Sequence, residues 1–183
     1  MLHRTANQAR WEDIVPGNVF ELFPGTGQQS AVKCLPVSVA TRFPSYVTAK
    51  RAAELEPHEA VVGLILESGS GKRLGYFPAV GHLDQTLLQQ LDSLDVLLFD
   101  GTFWTDNELI KLQNGGQTAR EMGHIPVSSP GGSLDLLSGL RCPRKMLVHI
   151  NNTNPLLDET GPEYRQVRAR GWEIAEDGCH LDL

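Results

Sequence analysis

Two short apolar runs constrain this chain most: Asp95–Phe99 (DVLLF) and Lys145–Ile150 (KMLVHI). Each is of strand length and almost continuously hydrophobic, the pattern of a strand covered on both faces in a parallel sheet. Between and after them the period changes. Leucines at 83, 87, 88 and 91 share one helical face, and Ser133 opens a further helical segment. Thr105–Glu108 and Thr160–Glu163 have the S/T-x-x-E form of a capping box, and Gly171 follows a predicted helix as its terminating glycine. Trp172–Ala175 reads as a last strand, so the second half of the chain is β-α-β-α-β. The first half reads as hairpins. Asn18–Phe23 and Ala31–Thr41 are predicted strands, Arg42–Pro57 a loop, and Ala60–Glu67 with Arg73–Phe77 a hairpin around the Ser68–Lys72 turn. That order predicts an α/β domain with a mixed sheet.

The remaining sequence narrows the class. At 183 residues the chain has the length of about one domain. Its 16 Lys and Arg against 22 Asp and Glu give a net charge of −6, which offers no basic footprint for nucleic acid. No run approaches the ~18 apolar residues of a membrane span. Met1–Val15 carries scattered charges without an apolar core, so neither membrane insertion nor a secretory leader is expected, and a cytoplasmic protein is. Cys34, Cys142 and Cys179 are too far apart for a CxxC metal knuckle and read as reduced thiols.

Chemistry concentrates where the predicted parallel strands end, the place where open α/β sheets bind ligands. The first strand runs into Asp100-Gly101-Thr102-Phe103-Trp104, and the second into His149-Ile150-Asn151-Asn152-Thr153-Asn154-Pro155. Between them, Arg120-Glu121-Met122-Gly123-His124 lies in a segment bounded by Gly115-Gly116 and Pro130-Gly131-Gly132, which can bring a second imidazole to the same edge. Each residue also has a plain structural reading. Asp100 before Gly101 suits a turn, His149 suits a hydrogen-bonded core histidine, and the asparagines suit Asx turns ahead of Pro155. His58, His82 and His180 are isolated, and the SGSGK turn lacks the spacing of a phosphate loop.

Three blocks, MLVHINNTNPLLD (Met146–Asp158), FDGTFW (Phe99–Trp104) and REMGH (Arg120–His124), closely resemble the pyrroloquinoline quinone (PQQ) biosynthesis protein B family of the metallo-β-lactamase-like superfamily. The resemblance implies an αββα sandwich with a metal site at one sheet edge. It implies iron-dependent oxygenation of a tyrosine-derived, peptide-borne precursor of the quinone, with zinc as the alternative metal. His149 falls on the family's C-terminal metal ligand. Asp100 and His124 match a strand-end carboxylate and a Gly-His loop lining the same pocket, as catalytic or proton-handling groups. Asn151, Asn152 and Arg120 are expected along the substrate pocket.

The Asp-His pair of the superfamily's first metal motif has no counterpart here, and Glu56–Gly63 departs from the family pattern. The expectation is therefore one partial domain over residues 1–183, lacking the N-terminal half of the sandwich and pairing with a second copy or a partner chain. A carrier or transport-assisting protein for the quinone, with Lys50, Arg51 and Arg120 against its carboxylates, is the alternative function. An inactive shortened homologue and a zinc hydrolase are the others.

Overall fold

The structure is a computed structural model describing residues 13–22, 32–39, 43 and 47–183. Most of the Met1–Val15 segment, the outer ends of the first two predicted strands (Phe23, Ala31, Ala40, Thr41) and part of the following loop lie outside those residues.

Seven strands form one sheet in strict sequence order: β1 (Phe20–Glu21), β2 (Lys33–Ser38), β3 (Val62–Glu67), β4 (Arg73–Phe77), β5 (Val96–Asp100), β6 (Arg144–Val148) and β7 (Trp172–Ile174). β1 to β4 pair antiparallel, and β4 to β7 pair parallel. The mixed sheet is the one predicted, because only the second half carries helices long enough to cross back between strands. α2 (Gln85–Asp92) and α5 (Pro162–Ala169) are two such crossovers, with α1 (Ala49–Ala52) earlier and α3 (Glu108–Gln113) and α4 (Ser133–Leu136) between β5 and β6. Asp84 caps α2 by accepting from the Leu87 amide at 2.7 Å. That fixes Leu87 and Leu91 inward, both buried.

Several local expectations are corrected. The Arg42–Pro57 loop contains α1, started by Thr48, whose hydroxyl accepts from the Arg51 amide. Neither capping box forms. α3 begins only at Glu108, whose carboxylate is drawn to the Trp104 amide and the Thr153 hydroxyl instead of to Thr105. α5 begins after Gly161, and the Thr160 hydroxyl donates to Asp158 at 2.7 Å. In both places a tertiary or loop partner outcompetes the local cap. Gly171 does take φ +75° after α5, as a C-terminal glycine should. The two central strands are offset from their predicted limits, since β5 includes Asp100 and β6 stops at Val148.

Register and alternation assign the two faces of the sheet. Ile65, Phe77, Leu97, Phe99, Leu147 and Trp172 share one face and pack with Leu87, Leu91, Leu134, Leu137 and Val167 from the helical segments into a single core. Gly63 and Gly75 are required there. A Cβ at Gly63 would meet the buried Phe77 ring at 2.1 Å, and one at Gly75 would meet Leu94 at 2.5 Å. The opposite face carries Cys34, Pro36, Leu64, Leu66, Leu74, Tyr76, Val96, Leu98 and Met146 in register. None of these belongs to the helix-packed core, yet Cys34, Pro36, Leu74, Val96 and Met146 are buried and only Tyr76, at 40%, is exposed. The sheet is thus apolar on both sides and packed against helices on one, as in one α-and-β layer pair of a sandwich.

Candidate metal centre

Asp100 ends β5 and continues the alternation of Val96 and Leu98, so it stands on the helix-free side of the sheet at the carboxyl end of the parallel strands. It is fully buried. Four donors surround its carboxylate. Oδ1 accepts from the Thr102 amide at 3.0 Å and the Thr102 hydroxyl at 2.6 Å. Oδ2 accepts from the Val80 amide at 2.9 Å and from His124 Nδ1 at 2.7 Å. A carboxylate has about four lone-pair positions, and here all are engaged.

His124 arrives on the glycine-flanked segment. Gly123 takes φ +90°, and the His124 and Ile125 amides bond to the Ala119 and Val80 carbonyls, closing the loop over the strand end. The ring is held edge-on to Phe103, with centroids 5.7 Å apart. His149 follows β6 with φ +57°, an unusual conformation for a residue with a side chain. Flanking it, the Gly101 amide bonds to the Val148 carbonyl and the Asn151 amide to the Thr102 carbonyl, so the chain turns out between two fixed points. Its Nδ1 lies 2.7 Å from the Thr102 hydroxyl. The two imidazoles stack with centroids 5.7 Å apart and planes at 22°. Asp100, His124 and His149 bring one ligand-type atom each to within 4.8 Å of one another.

The asparagine run does structural work beside this cluster. Asn154 is buried, accepts from the Leu156 amide and donates to the Gly101 and Thr102 carbonyls at 2.8 and 3.2 Å. Asn151 donates to Thr153, whose hydroxyl donates to Glu108 at 2.6 Å. Asn152 is exposed, its amide bonded to Asn151 Oδ1. We expect Asn154→Ala to cost about 2–3 kcal/mol by stripping buried carbonyls of their partner, read as a lowered denaturant midpoint with unchanged slope.

All three strand-end residues singled out in the sequence are brought together. Arg120 is nearby in sequence but exposed, with its guanidinium donating to the Gly131 carbonyl at 3.0 Å, a brace between the two glycine-rich loops. Lys50 and Arg51 sit on α1, exposed and outside the strand-end network. Sequence reasoning missed the buried roles of Thr102 and Glu108, whereas the Asx turn expected at Asn154 forms, its Oδ1 accepting from the Leu156 amide. A cavity of about 500 Å³ adjoins His149, lined by Ile150, Leu156, Tyr164, Ile174 and the acidic residues Glu159, Glu176 and Asp177.

The donor set suits a metal in part. With a carboxylate behind it, His124 donates through Nδ1 and leaves its Nε2 lone pair free, the usual carboxylate–histidine arrangement of metal sites. The engaged oxygens of Asp100 make it the supporting group, so the imidazoles are the donors this chain offers. Structural and catalytic metal sites take three or more protein ligands.

The chain belongs to the beta-lactamase superfamily, whose domain matches residues 2–150. Within that class it is similar to coenzyme PQQ synthesis protein B, bearing out the sequence resemblance. It is 46% identical over 130 residues to that protein from Pseudomonas entomophila, covering 70% of this chain and 43% of the relative. To the Pseudomonas putida W619 protein it is 40% identical over 156 residues, covering 81% and 52%. The crystal structure of Zn(2+)-bound PqqB from Methylobacterium extorquens superimposes with a TM-score of 0.79 at 36% identity, over 93% of this chain and 55% of that one. A diphosphatase of the PhnP family shares the fold at 20% identity and a TM-score of 0.54. The chain spans about half the length of the relatives it matches. Among the described residues, no helix is long and apolar enough to cross a membrane.

Proposed function

We propose that this chain serves PQQ biosynthesis in the cytoplasm, as part of an iron-dependent oxygenase acting on a tyrosine-derived peptide precursor. The observation that carries this reading is the strand-end cluster itself. Two imidazoles backed by one buried, fully engaged carboxylate stand at the sheet edge of a chain similar to coenzyme PQQ synthesis protein B. Bound there, iron would supply the redox chemistry with dioxygen that side chains lack. The chain's own part is to present His149 Nε2 as ligand, to hold the His124 imidazole beside it as a second donor or proton-handling group, and to shape the adjoining cavity for an aromatic substrate. Zinc is the alternative metal, for which the zinc-bound relative speaks.

The remaining ligands come, in this proposal, from a second copy or a partner chain packed on the helix-free apolar face, towards which Asp100 stands. The short donor set of this chain favours a second reading, a carrier that binds the quinone without metal. Expression in a bacterium whose own coenzyme PQQ synthesis protein B gene is deleted tests the role. Restored quinone production that depends on His149 supports the oxygenase. Failure to restore it, with quinone retained by the purified chain after metal chelation, supports the carrier.

A further inference from the structure

We propose that Thr102 is the positioning residue that selects the tautomer of His149, and thereby makes its Nε2 a free donor. The argument is a count of protons. Asp100 Oδ1 can only accept, and the Thr102 hydroxyl sits 2.6 Å from it, so the single hydroxyl proton is committed to the carboxylate. The same oxygen lies 2.7 Å from His149 Nδ1. With its proton spent, Thr102 can only accept there, and Nδ1 must carry the hydrogen. The neutral ring of His149 is therefore held as the Nδ1–H tautomer, with its Nε2 lone pair exposed. His124 reaches the same form directly, through Asp100 Oδ2. One carboxylate so prepares two imidazoles, one by contact and one through a buried hydroxyl that is 7% exposed as a residue.

A threonine suits the task where a serine or cysteine would hold less firmly. Its β-branch restricts χ1, and its own amide also donates to Asp100, fixing the backbone from which the hydroxyl projects. In metal sites, partners of this kind outside the ligand set typically change affinity by about 10–100-fold.

The relevance to metal binding rests on the reading given under Proposed function; the tautomer does not, and the two are tested separately. The full chain is labelled with nitrogen-15, and the ring nitrogens are assigned near pH 8, above the ordinary histidine range. The expected wild-type result is Nδ1–H at both His124 and His149. In Thr102→Val, His149 shifts towards the Nε2–H form while His124, bonded to Asp100 itself, stays Nδ1–H and serves as the internal control. Thr102→Ser restores the wild-type pattern. An Nε2–H His149 in the wild type, or an unchanged His149 in Thr102→Val, overturns the proposal. If the valine variant does not fold, the wild-type and serine spectra decide it.

The second arm titrates zinc against a competing chelator, with an expected affinity loss of about 10–100-fold in Thr102→Val and recovery in Thr102→Ser. Equal affinities in wild type and Thr102→Val overturn the link to the metal. No zinc uptake by any form sinks the metal reading and leaves the tautomer decided by the spectra.

Discussion

Asp100→Ala is expected to destabilise the protein by about 3–5 kcal/mol, the cost of removing one partner from a buried, charged hydrogen-bond cluster. The carboxylate satisfies two backbone amides, a hydroxyl and an imidazole, all at the junction where three loops meet. Alanine leaves the Val80 and Thr102 amides without their carboxylate acceptor, and unpaired buried donors cost about 1–3 kcal/mol each when water cannot enter. For a chain of this length the loss corresponds to a melting temperature lower by roughly 10 °C. The substitution should also release both imidazoles, so the ring resonances of His124 and His149 broaden or shift together. Asp100→Asn offers one oxygen where two are needed and turns an NH₂ group towards existing donors, so it should recover little of the loss. A calorimetric scan checks the prediction, and a change within about 0.5 kcal/mol, the range of surface substitutions, would show that the cluster is not coupled to the fold.

The limits of what the sequence discloses follow the range of the interactions concerned. The runs DVLLF and KMLVHI announce β5 and β6 because burial on both faces removes alternation, a purely local signature. The leucine spacing of α2 and the glycine ending α5 are equally local. Glu108 shows the opposite case. Its position in a T-x-x-E string predicts a cap, yet the fold brings Thr153 from 45 residues away to compete for the carboxylate. Thr102 gives no signal at all in FDGTFW, since its meaning depends on His149, 47 positions later. Asp100 stood between a turn and a functional group in the sequence. The structure realises the turn, since Oδ1 accepts from the Thr102 amide two residues on, and adds complete burial and an imidazole partner that the residue type alone does not specify. The asparagine run, read as either pocket lining or turn formers, proves at Asn154 to be a buried tie between the ends of β5 and β6.

His149→Ala has the largest expected effect on chemistry and one of the smallest on stability. The side chain is exposed, and its principal polar contact is with Thr102, which retains Asp100 as a partner. Alanine keeps the positive φ of this position, so the backbone strain is unchanged and no large loss of folding free energy is expected. What disappears is the Nε2 donor. Removing one ligand from a site that this chain fills only in part should abolish metal retention outright. The decisive measurement is metal content after anaerobic Fe(II) loading and desalting, on the wild-type chain and on His149→Ala in parallel. Near-stoichiometric iron in the first, with a second copy of the chain completing the ligand set, and none in the second is the predicted result. Iron retained equally by both, or by neither, would contradict the claim that this strand-end histidine is a metal ligand.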